Sequence, residues 1–270
     1  MIHRRLAQFA VITLLLAASS LADAAQWGHW GKATKPAKQW ADYTDARPDM
    51  LPDAWLVKRL VDAGDDEIML RSSNGAMLRW VDADQLRALY NVSQKILSAA
   101  ETRADLYITQ GDSPNAAAGL HEGKPVMFVN FAMLDLVGYD EDEWAALVGH
   151  EVAHLKLKHG EKHAKRNIPL NIIKTVGGAV LNDPLSATAG NLLLDGIANK
   201  FSRDDEREAD YMGVIWAVQM DYDAYGAAHL HQRMNDEGGG GAPLPFLSTH
   251  PSGPERIKTL TELADRLSEN

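Results

Sequence analysis

The chain has 270 residues, of which 46% are hydrophobic and 24% are charged, a composition typical of a globular protein with a buried core. Its 27 basic and 37 acidic residues give a formal net charge of -10, which argues against a nucleic acid partner because polyanions bind basic surfaces. The sequence contains no cysteine, which excludes disulfides, thiolate metal sites and cysteine nucleophiles.

The first 24 residues have the pattern of a secretory signal peptide. Arg4 and Arg5 precede an apolar run from Phe9 to Ala18, and Ala22-Asp23-Ala24 has the small residues of a cleavage site. A membrane anchor needs about 18 consecutive apolar residues, and this run is shorter. We therefore expect removal of residues 1–24 by cleavage after Ala24, no integral membrane span in the mature chain, and a periplasmic or otherwise secreted protein.

Residues 25–100 are predicted to form an N-terminal lead segment with a β-hairpin and a helix. Residues 26–64 show no clear period and predict irregular structure. Asn74-Gly75 lies between two runs of alternating apolar residues, which is a strong hairpin signal. From Asp82 to Ala100, apolar residues recur at spacings of three and four, which predicts a helix.

Residues 101–270 are predicted to form the second domain, which is mainly helical. It begins with two short strands, "DLYITQ" and "PVMFVN", joined by a loop over residues 111–124. The expected helices are a short one after Asn130, a long one that starts near Asp140 and is ended by Gly160, short broken helices over residues 167–201, and three more near residues 202–220, 224–235 and 254–267. The fold class predicted from this order is α+β and mainly helical.

The sequence "HEVAH" lies within the long helix and places His150 and His154 four residues apart. Residues with this spacing lie on one helix face, so both imidazoles can bind one metal ion. Glu151 lies about 100° around the helix from His150, where it can reach a water on the metal. This arrangement is typical of zinc hydrolases, in which the glutamate is the catalytic base.

A zinc site of this kind needs a third protein ligand, and "SRDDEREAD" supplies candidates. Glu206 and Asp210 share one helix face with Gly213 and Ala217, whose small size allows close approach of the His150/His154 helix. We expect Glu206 to be the third ligand and Asp210 to fix the tautomer of a ligand histidine. The alternative is an acidic, solvated helix start, and Glu208 is the weaker ligand candidate.

The remaining histidines are less informative, with one exception. His159 and His163 follow the helix at a basic end and are expected to be solvated, and His121, His229 and His231 are expected at the surface or in local hydrogen bonds. His250 follows a run of four glycines and is expected to stabilise the oxyanion, to close the fourth zinc position as a switch, or to form a structural turn with Pro251. Arg256 is placed to serve a nearby carboxylate or substrate.

The segments "HEVAH", "SRDDEREAD" and "THPSGPERI", in this order, resemble the HtpX-like and CaaX-prenyl-endopeptidase family of gluzincin metallopeptidases, in its secreted, soluble branch. The resemblance covers about Asp105 to Leu260. It implies a zincin-like domain with one Zn²⁺ per chain, bound by His150, His154 and Glu206, with Glu151 as base and Asp210 behind the ligands.

The resemblance also implies a substrate-binding segment. The "SPNAAAG" stretch matches the Asn-Ala strand region beside the family's cleft, so Asn115, Ala116 and Ala117 are expected to pair with an extended substrate. Membrane members of the family carry transmembrane helices around the catalytic core, and none is visible in this sequence, so membrane-embedded substrates are not implied.

These observations predict a secreted zinc metalloendopeptidase that hydrolyses peptide bonds, with unfolded or misassembled envelope proteins as substrates and possible envelope protein partners. Two alternatives stay open: a zinc-containing, latent or non-catalytic periplasmic chaperone or adaptor that binds polypeptides, and a structural protein in which HEVAH is coincidental.

Overall fold

The structure is a computed structural model that describes residues 54–72, 75–121, 123–162, 201–238 and 244–269. All of them belong to one compact unit, Trp40–Asn270. The expected signal peptide and the expected short helices of residues 167–200 lie outside the described residues.

A four-stranded sheet has the strand order β1-β4-β6-β5. β4 and β6 are parallel, whereas β1 pairs antiparallel with β4 and β5 pairs antiparallel with β6. β5 therefore forms one edge of the sheet. The strands are β1 (Trp55–Leu56), β4 (Asp105–Thr109), β5 (Ala116–His121) and β6 (Lys124–Asn130).

A separate hairpin of β2 (Glu67–Arg71) and β3 (Met77–Asp82) precedes the sheet strands β4 to β6. Gly75 has φ 84°, in the left-handed region that glycine adopts without steric cost, so it allows the tight reversal. The hairpin predicted at Asn74-Gly75 is thus present.

Besides a helical turn over residues 159–162, the described residues contain eight helices. They are α1 (Val57–Asp62), α2 (Ala83–Ala99), α3 (Phe131–Val137), α4 (Glu141–Lys156), α5 (Arg203–Gln219), α6 (Gly226–Glu237), α7 (Pro245–Thr249) and α8 (Pro254–Ser268). The mainly helical α+β class predicted from the sequence is confirmed.

Helix α4 runs through the centre of the packed unit. All of its residues from Glu143 to His154 are buried, including Trp144 and Val148 at 0% exposure. It packs against α2, α5, α6 and β5. Because apolar side chains surround it, the polar groups that it carries are also withdrawn from water.

Four expectations were wrong in detail. The loop over residues 111–124 contains β5, residues 54–62 form β1 and α1, and α7 was not expected. The long helix ends at Lys156 and not at Gly160, because Lys158 takes the left-handed conformation (φ 58°), which interrupts the helix before a short helical turn at residues 159–162. Among the described helices, none combines the length and the apolar character that crossing a membrane requires.

Candidate metal centre

Helix α4 brings His150, Glu151 and His154 to the centre of the unit. The Asp140 side chain accepts a hydrogen bond from the backbone N–H of Glu143 and so caps the helix, and acidic residues fill its first turn, where they favour the helix dipole. His150 and His154 are only 5% and 3% exposed. The helix thus presents two buried imidazoles on one face.

Helix α5 supplies the acidic residues. Ser202 and Asp205 form a capping box at its start, in which each side chain satisfies the other residue's backbone N–H. Gly213 lies against Gly149 of α4: a Cβ on Gly213 would lie 2.7 Å from the backbone nitrogen of His150. Two glycines at the crossing therefore let α5 bring Glu206 to the histidines.

Four donor groups converge: His150, His154, Glu206 and His250, whose candidate ligand atoms all lie within 4.8 Å of one another. His150 Nε2 lies 3.0 Å from His154 Nε2 and 3.0 Å from His250 Nδ1. Glu206 Oε1 lies 3.2 Å from His154 Nε2 and 3.0 Å from His250 Nδ1. All four residues are buried.

This spacing fits a zinc ion. With zinc–nitrogen and zinc–oxygen bonds of about 2.0–2.1 Å, tetrahedral ligand atoms lie about 3.3 Å apart, close to the observed separations of 3.0–3.6 Å. Imidazole and carboxylate donors also suit zinc. The donor set therefore matches one Zn²⁺ per chain.

Each α4 histidine has a hydrogen-bond partner for the ring nitrogen that faces away from the donor cluster. Asp210 Oδ1 lies 3.0 Å from His150 Nδ1, so the Nδ1–H of a neutral His150 donates to this carboxylate and Nε2 keeps its lone pair for the donor cluster. Arg256 in turn donates to Asp210 and to Glu206 Oε2, at 2.6 Å to each. Asp210 therefore lies on the side of the His150 ring that faces away from the donor cluster.

The protonation of the cluster suits a cation. Burial lowers the pKa of His150 to about 3, so its imidazole is neutral. Burial would raise the pKa of Glu206, but His150, His154 and His250 outweigh it and lower that pKa well below its usual range. Arg256 likewise overcomes burial and lowers the pKa of Asp210. A neutral imidazole, as at His150, and an ionised carboxylate, as at Glu206, are the forms that bind metals.

Glu151 lies beside the donor cluster. Its Oε1 is buried without a hydrogen-bond partner and lies 3.5 Å from His250 Nε2. Burial raises the pKa of Glu151 to about 7. A carboxylate of this kind can accept and release a proton near neutral pH.

The edge strand β5 faces Glu151. The backbone of Ala118 hydrogen-bonds to the Glu151 carboxylate, whereas the Asn115 carbonyl accepts from the backbone N–H of Asn130 on the β6 side. Ala116 and Ala117 are buried and pair with β6. Of the expected substrate-binding segment, the backbone N–H and carbonyl of Asn115 both bond to Asn130, which also donates its side-chain amide to the Ser113 carbonyl.

The expectation for His159 was wrong. It is 0% exposed and its Nδ1 lies 2.9 Å from His154 Nδ1. His231 is also buried and its Nδ1 lies 2.9 Å from the Ser252 hydroxyl. Helical spacing could not predict the burial of either histidine, because His159 follows the left-handed residue Lys158 and His231 lies on another helix.

Comparisons with known proteins bear on this arrangement. The sequence profile described as "Peptidase family M48" matches residues 83–264, which include every residue of the donor cluster. Curated relatives also match, but the chain spans less than half the length of each of those described below.

Two of these relatives are named mitochondrial metalloendopeptidase OMA1. The Schizosaccharomyces pombe protein is 33% identical over 165 residues, 60% of this chain and 47% of the relative. The Saccharomyces cerevisiae protein is 30% identical over 164 residues, 58% of this chain and 45% of the relative. A Vibrio cholerae protein named putative beta-barrel assembly-enhancing protease is 29% identical over 142 residues, 48% of this chain and 29% of the relative.

Proposed function

The chain belongs to peptidase family M48, and on that premise we propose that it is a zinc-dependent metalloendopeptidase. Family M48 peptidases use zinc. One observation carries the proposal: four donor groups converge on one point, and an unpartnered carboxylate oxygen of Glu151 lies beside them.

The proposed roles follow from position and protonation. His150, His154 and Glu206 bind the zinc ion, and Asp210 holds His150 by accepting from its Nδ1–H. Glu151 is the general base, because it lies next to the cluster but outside the set of donor atoms. When bound, zinc polarises the scissile carbonyl and lowers the pKa of the attacking water.

Glu151 moves one proton during the reaction. It takes the proton from the attacking water as the water oxygen bonds to the carbonyl carbon, and it delivers that proton to the amide nitrogen as the C–N bond breaks. Burial that raises its pKa to about 7 supports this role, because both steps need a group that holds and releases a proton near neutrality.

The outer edge of β5 is the proposed place for the substrate backbone. An extended peptide can add to the edge of a sheet through backbone hydrogen bonds, and Ala118 on that edge contacts Glu151. Ala116 and Ala117 then position the strand, and Asn115 anchors it to Asn130 rather than binding substrate. Any polypeptide that can become extended fits this edge, so unfolded polypeptides are the proposed substrates.

His250 is proposed to be a switch. Its Nδ1 lies 3.0 Å from both His150 Nε2 and Glu206 Oε1, where it would be a fourth donor to a bound ion and would take the position that substrate or water needs. Catalytic zinc sites keep one position open. Withdrawal of His250 then opens the site, and His250→Ala is expected to raise peptidase activity at matched zinc content.

The pattern of residues 1–24 supports export to the periplasm, with misassembled envelope proteins as substrates. The relatives' names include mitochondrial enzymes and a putative beta-barrel assembly-enhancing protease, so they fix no compartment. Expression in a bacterial host, fractionation and N-terminal sequencing test this proposal. An exported protein beginning at Ala25 is expected, and retention of Met1 in the cytoplasm would contradict it.

The decisive experiment is digestion of casein by the purified, zinc-loaded protein beside Glu151→Gln at matched zinc content. Cleavage by the wild type and a loss of about a thousandfold or more in the variant are expected, because the base is gone while the donors are intact. His250→Ala and His250→Ala/Glu151→Gln form a second pair, which separates latency from inactivity.

A zinc-containing chaperone or adaptor is the second candidate, favoured by the closed arrangement around His250. It predicts bound zinc and no cleavage by either the wild type or His250→Ala. It also predicts that Glu151→Gln leaves binding of unfolded polypeptides unchanged. Cleavage by His250→Ala alone would exclude it.

A further inference from the structure

His159 contacts the metal centre from outside. It is completely buried, and its Nδ1 lies 2.9 Å from Nδ1 of His154, the nitrogen that faces away from the donor cluster. The two rings meet edge to face, with centroids 4.9 Å apart and an interplanar angle of 74°. His159 is thus the hydrogen-bond partner of a proposed ligand's outer nitrogen.

The chain reaches this position through an unfavourable backbone conformation. Helix α4 ends at Lys156, and Lys158 adopts φ 58°, a left-handed conformation that is unfavourable for a residue other than glycine. The left-handed residue interrupts the helix directly before His159, whose ring lies against that of His154. The contacts that His159 makes must therefore offset this unfavourable conformation.

The other nitrogen of His159 faces acids on α5. Nε2 lies 3.2 Å from Glu208 Oε2 and 3.6 Å from Asp205 Oδ1. Helix α5 is the one that carries Glu206, so His159 joins the two helices that supply the proposed ligands.

Only one set of tautomers uses all these contacts together with metal binding. A neutral imidazole has one donor and one acceptor nitrogen. For His154 to bind a cation through Nε2, its proton must be on Nδ1, where it can donate only to Nδ1 of His159. That in turn puts the His159 proton on Nε2, which faces the carboxylates of Glu208 and Asp205.

We propose that His159 is a positioning residue, which holds His154 in the tautomer and orientation that bind a metal through Nε2. In this chain of hydrogen bonds, His154 donates to His159, and His159 donates to the acids of α5. A carboxylate or a carbonyl usually accepts from a ligand histidine, and here a second imidazole is interposed. This inference rests on the proposed zinc site.

Filling space does not account for a histidine here. The His154 ring already stacks on Phe201, with centroids 4.0 Å apart, and Phe201 also lies 6.4 Å from the His159 ring. An apolar ring at position 159 would fill the same space without the cost of burying a polar one. The acceptor nitrogen is what histidine adds.

Two variants separate hydrogen bonding from packing. His159→Phe keeps the ring volume and removes the acceptor, whereas His159→Asn loses volume and keeps an acceptor near the place of Nδ1. We expect zinc affinity, measured by competition with a chelating fluorophore, to fall about 10–100-fold in His159→Phe, as for other partners of ligand histidines. His159→Asn is expected to retain most of the affinity.

The zinc-free melting temperature of each variant reports folding separately, and the Co²⁺ absorption spectrum reports ligand geometry without any assay of activity. Wild-type zinc affinity in His159→Phe overturns the inference, and so does a loss in His159→Asn as large as that in His159→Phe. If the wild type binds no zinc at all, the proposed function fails and this inference with it, a result distinct from either of the others.

Discussion

Arg256 is the counter-charge of the two buried carboxylates at the candidate metal centre, Glu206 and Asp210. Its guanidinium donates to Glu206 Oε2 and to both oxygens of Asp210, and it also binds the Pro251 carbonyl next to His250. The two carboxylates are nearly buried, so they have little water to replace this partner. Arg256 thus stabilises two carboxylates that become buried when the chain folds.

Arg256→Gln is expected to lower the free energy of unfolding of the zinc-free protein by about 3–5 kcal/mol, because it leaves buried carboxylates without a counter-charge. Arg256→Lys is expected to recover only part of this loss, since an ammonium group cannot form the same planar, bidentate contact. Urea denaturation in the presence of a chelator measures both.

Arg207 provides the matched control. It pairs with Asp204 on the exposed side of α5, and its side chain is 64% exposed. Arg207→Gln is expected to change the free energy of unfolding by about 0.5 kcal/mol or less. Equal losses from the two glutamine variants would show that the buried pairing of Arg256 contributes nothing special.

At this scale the sequence is informative where spacing alone decides. The spacing of four predicts that His150 and His154 share one helix face and that Glu206 and Asp210 share another. The need for a third zinc ligand and the family resemblance then place the two pairs in one site. His159 could not be predicted there, because its place depends on the left-handed turn at Lys158, which no residue type there signals. The partners of Arg256 depend on how α8 packs, which its own sequence does not specify.

Among the elements, α4 and α5 cross so closely that there is no room for an added side-chain atom at Gly213. A Cβ on Gly213 would lie 2.7 Å from the His150 nitrogen and 2.8 Å from the Gly149 carbonyl carbon. These are backbone atoms, so no side chain can rotate aside. The helices would have to separate, and Glu206 would move away from the histidines.

Gly213→Ala is therefore expected to lower the free energy of unfolding by about 1–3 kcal/mol and to weaken zinc binding. Thermal unfolding without zinc and a zinc competition assay measure the two effects. Gly160→Ala is the control, since a Cβ there meets nothing within 4 Å. A Gly213→Ala protein with wild-type stability and zinc affinity would refute the close contact.

The elements that could be predicted are those with a clear period, strand or turn signal: the hairpin, the strands β4 and β6, and the helices α2, α3, α4, α5, α6 and α8. The edge strand β5 was missed because "AAAGLH" has low intrinsic strand preference and becomes a strand by pairing with β6. The elements β1 and α7 have two and five residues, too few to show a period.

For the whole molecule, the family predicted from the three segments is confirmed. The candidate zinc site is built from residues that are far apart in the sequence. Its proposed donors come from α4, from α5 and from His250 between α7 and α8. An ion that binds this set binds only the folded chain.

Zinc is therefore expected to stabilise the protein by about 4 kcal/mol at a thousandfold excess over its Kd, which raises Tm by about 10 °C in a domain of this size. Differential scanning calorimetry with and without chelator measures the shift. Mg²⁺ is expected to have little effect, because it prefers oxygen ligands. His154→Ala should abolish the zinc effect, and an undiminished shift in that variant would place the ion elsewhere.

The separation of the donors along the chain has a consequence for synthesis. A ribosome releases His150 and His154 long before Glu206, and His250 and Arg256 later still. Until those segments emerge and dock, Glu151 has no complete metal site beside it. The proposed peptidase activity is therefore absent from a nascent chain that still lacks Glu206.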